Sequence, residues 1–73
     1  MNEKILLAIK LHAEGNIAKA KTNVEVFLNN SIGVADHGDI VKTIMEQIKV
    51  INDNEDIIET IYKHFPVSKN KIN

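Results

Sequence analysis

The closest approach to a chemical grouping in this sequence is at residues 36–39, where Asp36, His37 and Asp39 put two carboxylates beside an imidazole. Carboxylate oxygens and imidazole nitrogens are donors that Zn²⁺ and similar ions accept. No second His or Cys completes a ligand set at a recognised spacing, and helix capping already suits both aspartates, so no metal ligand is assigned. A second cluster, Asp53, Glu55, Asp56 and Glu59, is purely acidic. It lacks the glycine-bearing oxygen-ligand loop of a Ca²⁺ site, and is expected to be a solvated face able to dock a basic partner. His12 and His64 complete the histidines, and neither stands in a relay with a serine, cysteine or second acid. The expectation is therefore no catalytic residue, no cofactor and no enzyme.

Lysine is the remaining reactive type. All nine basic residues are lysine, and arginine, the side chain best shaped for bidentate contact with guanine or phosphate, is absent. Lys4 and Lys19, with Thr22, share the outer face of the first half, and Lys63, Lys69 and Lys71 follow near the end. Such a face gives salt-dependent, sequence-independent affinity for nucleic acid, which is the alternative function. Against it stand the net charge of −1 and three aromatics, Phe27, Tyr62 and Phe65, all on expected core seams. Charge is also uneven: residues 36–65 hold seven acids against three lysines, whereas residues 2–30 hold three acids against four.

The elements that must carry these groups are helices. Leu6, Ile9, Ala13, Ile17, Ala20, Val24 and Phe27 recur at steps of three and four, which predicts a helix over residues 2–30 with Asn2 as cap and Glu3 in the first turn. Gly15 and Asn16 weaken helix propensity without shifting that phase. With Ala8 and Thr22 on the same outer side, Gly15 is either a point of close helix approach or a tolerated substitution. Residues 31–37 lose the pattern, and Gly33 supplies the turn, with Ile32 and Val34 closing the end of the hairpin. A second helix is expected over residues 38–65, capped by Asp36 and Asp39, along Val41, Ile44, Ile48, Ile51, Glu55, Ile58, Tyr62 and Phe65. A break at 52–54, with Asp53 capping a third helix, is the competing possibility, because short polar side chains compete for the backbone there. Pro66 ends the helix, leaving residues 66–73 as a flexible tail.

Together these give an all-α, antiparallel two-helix hairpin occupying residues 1–65 as a single domain. At 73 residues without cysteine, the chain has neither the size nor the disulfides that stabilise many small folds. A second set of apolar residues, Leu7, Leu11 and Ala18 on the first helix and Val50, Ile57 and Ile61 on the second, lies roughly 100–140° from the seams. Those six are the expected interaction surface, and pairing of two hairpins into a four-helix bundle would bury them. The expected partners are a second copy and a further protein, with nucleic acid disfavoured and no membrane. The apolar run Ile5 to Ile9 is too short for a span and too soon interrupted for a signal peptide, so a cytoplasmic location is expected.

The run HAEGNIAKAKTNVEVFLNN, from His12 to Asn30, followed by SIGVADHGDIVKTI, resembles small uncharacterised helical proteins encoded by tailed marine phages of the cyanophage myovirus type. The resemblance covers His12 to Phe65. It implies a phage accessory protein made in an infected bacterial cytoplasm, with no established activity and no functional residues to carry over.

Overall fold

The structure, a computed structural model, describes residues 3–29 and 39–65. The expected Asn2 cap, the connector with Ile32, Gly33, Val34, Asp36 and His37, and the tail with Lys69 and Lys71 lie outside the described residues. Helix α1 spans Glu3–Asn29 and helix α2 spans Ile40–His64, packed against each other in one layer whose extents are 49 × 16 × 14 Å. Among the described residues the fold is all-helical, two helices paired as a hairpin.

Asp39 begins α2. Its backbone is extended, at φ −80° and ψ 104°, and its Oδ1 accepts the backbone N–H of Lys42 at 3.1 Å. Its carbonyl oxygen receives both the N–H and the hydroxyl of Thr43, each at 3.1 Å. A side-chain cap of this kind contributes about 1 kcal/mol by satisfying a donor the helix itself leaves open. At the other end Lys63 and His64 lie in the last turn, where the helix dipole favours positive charge. Phe65 then turns extended, at φ −122° and ψ 131°, the conformation to which Pro66 restricts the residue before it. Between these limits α2 is unbroken through residues 52–56.

Packing follows a heptad. The inward positions of α1 include Leu6, Lys10, Ala13, Ile17, Ala20 and Val24, and those of α2 include Ile44, Gln47, Ile51, Asn54, Ile58 and Ile61, each series stepping by alternating threes and fours. That 3.5-residue repeat is the coiled-coil seam, and it favours left-handed winding. Both helices depart from the spacing-based seams. In α1, Lys10 is buried where Ile9 was expected, and Ile9 is 42% exposed. In α2 the whole seam is turned by about 50°, so that Gln47, Asn54 and Ile61 point inward instead of Ile48, Glu55 and Tyr62.

The reason lies in the partner helix. Asn16 Nδ2 donates to Asn54 Oδ1 at 3.1 Å, and Asn23 Nδ2 donates to Gln47 Oε1 at 3.2 Å. Asn54 Nδ2 in turn donates to the Val50 carbonyl at 2.7 Å. Asn16 and Asn23 are one heptad apart on α1, as are Gln47 and Asn54 on α2, so two amide rungs lock one antiparallel register. A polar pair at such seam positions specifies alignment at some cost in stability.

Candidate functional site

Among the described residues the chemistry-bearing side chains lie along open grooves and exposed faces of the two helices. Of the described residues, the buried apolar ones are Leu6, Ala13, Ala20 and Ile61, and two of these four are alanines. Lys10, also buried, keeps its ammonium on Glu14 Oε2 at 3.2 Å, one turn along the same helix, while its stem fills the seam. By contrast, eleven large apolar side chains among the described residues are exposed.

Apart from Phe65, which follows α2, these exposed residues divide between the two flanks of the layer. On one flank α1 presents Leu11 and Leu28, and α2 presents Val41, Met45 and Ile48. Grooves between the helices mark this side: Lys21, Val24, Glu25, Ile48 and Ile51 line one, and Glu14, Glu55, Asp56, Glu59 and Tyr62 stand around another further from the connector. On the opposite flank are Ile5, Ile9, Val26, Val50 and Ile57, and the groove there is lined by Asn16, Lys19, Ala20, Asn23, Gln47 and Val50. We call these the charged flank and the amide flank.

The six residues expected to form one interaction surface are therefore distributed. Leu11 and Ala18 are exposed on the charged flank, and Leu7, half-buried beside them, packs with Tyr62 against the Leu6 and Ile61 pair. Val50 and Ile57 are exposed on the amide flank. Ile61 is 5% exposed and belongs to the hairpin's own core, a consequence of the turned seam of α2.

The acidic cluster is brought together more fully than its sequence showed. Glu55, Asp56 and Glu59 share their groove with Glu14 from α1, so carboxylates from both helices face the same space, while Asp53 is exposed outside that lining. Lys4, Lys19, Thr22 and Lys63 are all exposed, and the Thr22 hydroxyl donates to the Ala18 carbonyl at 2.9 Å. Gly15 faces open space, with nothing within 4 Å of where a Cβ would stand. Among the described residues no group of three or more His, Cys, Asp or Glu side chains is placed to hold a metal ion. Asp36 and His37 lie outside the described residues, and no described helix is long and apolar enough to cross a membrane.

The amide rungs and the two-flank division were missing from the spacing argument. Their signal was the matched seven-residue interval of Asn16 to Asn23 and Gln47 to Asn54. Compared with protein-family models, curated proteins and solved structures, the chain matches none.

Proposed function

We propose that the chain is a protein–protein interaction module that works as a homodimer, two hairpins closing into a four-helix bundle that engages a further protein of the host cell or of a phage. The observation that carries this reading is the imbalance between what the single layer hides and what it leaves in water. Among the described residues four apolar side chains are buried, two of them alanine, while Leu28, Met45, Val41, Ile5 and Leu11 are each more than half exposed. A contiguous apolar patch beyond a few hundred Å² on a monomer is characteristic of an interface. Each large side chain covered by a second layer contributes about 1.5–3 kcal/mol, against the roughly 3–5 kcal/mol that so small a core supplies alone.

The acidic groove of Glu14, Glu55, Asp56 and Glu59 supports a basic surface on the further partner. The experiment for the homodimer is size-exclusion chromatography with light scattering at micromolar concentration. We expect about twice the 8.2 kDa chain mass. A single species at the chain mass would defeat the homodimer.

A further inference from the structure

We infer that the second copy docks on the charged flank, with the two hairpins reversed end to end so that Glu14 of each chain faces Lys21 of the other. This rests on the homodimer reading and adds to it the face, the orientation and the contacts.

Exposure separates the two flanks. On the charged flank Leu11, Leu28, Val41, Met45 and Ile48 range from 52% to 65% exposed. On the amide flank Ile9, Val26, Val50 and Ile57 range from 37% to 48%, and only Ile5 is higher. The groove walled by Lys21, Val24, Ile48 and Ile51 is apolar between its charged rims, which suits insertion of aliphatic side chains.

Charge then fixes the orientation. One line of α1 on this flank steps by heptads through Leu7, Glu14, Lys21 and Leu28. Reversed and laid on itself, it sets Leu7 against Leu28, and Glu14 against Lys21 twice over. Isologous two-fold contacts require this kind of self-complementarity. Among the described residues Lys21 makes no ion pair of its own, and Glu14, although its Oε2 holds the Lys10 ammonium at 3.2 Å, keeps a side chain 48% exposed and a second carboxylate oxygen to offer. The other two-fold arrangement, with both connectors at the same end, stacks α1 on the partner's α2. It brings the carboxylates of the Glu14, Glu55 and Glu59 groove of one chain level with those of the other, which like-charge repulsion opposes. End-to-end reversal moves each acidic half over the partner's connector half, where Lys21 and Ile48 lie.

Charge exchange tests this. Lys21→Glu should weaken the wild-type dimer about tenfold or more by setting like charges face to face, and Glu14→Lys should weaken it well beyond a Glu14→Ala control, which equally removes the partner of Lys10. The double variant Glu14→Lys/Lys21→Glu should restore it, and an equimolar mixture of the two single variants should form a heterodimer. Circular dichroism confirms that each variant remains helical. Because the chain has no cysteine, a Leu7→Cys chain mixed with a Leu28→Cys chain should form the mixed disulfide in preference to either homodisulfide. Leu11→Glu should dissociate the dimer, whereas Ile57→Glu should not. Should the wild type be a monomer, the homodimer itself fails. A wild-type dimer indifferent to the charge variants, or dissociated by Ile57→Glu and not by Leu11→Glu, overturns the docking face alone.

Discussion

Asn54 occupies a seam position where an aliphatic side chain would contribute more, and the residue is 9% exposed. It is tolerated because both ends are satisfied: the carbonyl accepts from Asn16 and the amino group donates to Val50. Removing one partner is therefore worse than removing both. Asn54→Ala leaves the Asn16 amide facing the seam and should cost about 1–3 kcal/mol in urea unfolding. Asn16→Leu/Asn54→Leu should match or exceed wild-type stability while loosening the register, seen as broadened NMR resonances. A double variant as destabilised as the single one would show that the amides do more than align the helices. These residues were hard to find from one helix at a time. A count of apolar positions prefers the line through Val41, Ile48 and Tyr62, and the merit of Gln47 and Asn54 emerges only when α1 brings Asn16 and Asn23 opposite.

At the scale of elements, α1 was legible almost to the residue, since its apolar line and its buried line agree everywhere except at Ile9 and Lys10. The continuity of α2 followed from its unbroken phase across residues 52–56, which outweighs the poor propensity of Asn52, Asp53 and Asn54. The rotation of α2 was not legible, because steps of three and four fit two neighbouring lines equally well. Gly15 is now the weak point of α1: it faces open space on the outer side, away from both flanks, so its missing side chain serves no contact within the chain. Gly15→Ala should raise stability by about 0.5–1 kcal/mol, read as a higher Tm, and leave the mass unchanged. A fall in stability or mass would place another helix against that site.

For the molecule as a whole, folding and association should be one process, because so little of the apolar surface is covered within a single layer. Tm should then fall by roughly 3–6 °C for each tenfold dilution. A Tm independent of concentration would mean that the lone hairpin holds itself together. The fold class and the two-helix topology were legible from periodicity, whereas the division of exposed residues between flanks was not, since it depends on how α2 is rotated. A slab 49 Å long and one helix thick has a back as well as a front. Once the charged flank is occupied, Ile5, Ile9, Val26, Val50 and Ile57 remain on the outside of both halves. A closed pair would thus be bivalent, offering two equivalent seats related by its dyad, and any protein captured there would bind with a stoichiometry of one per chain.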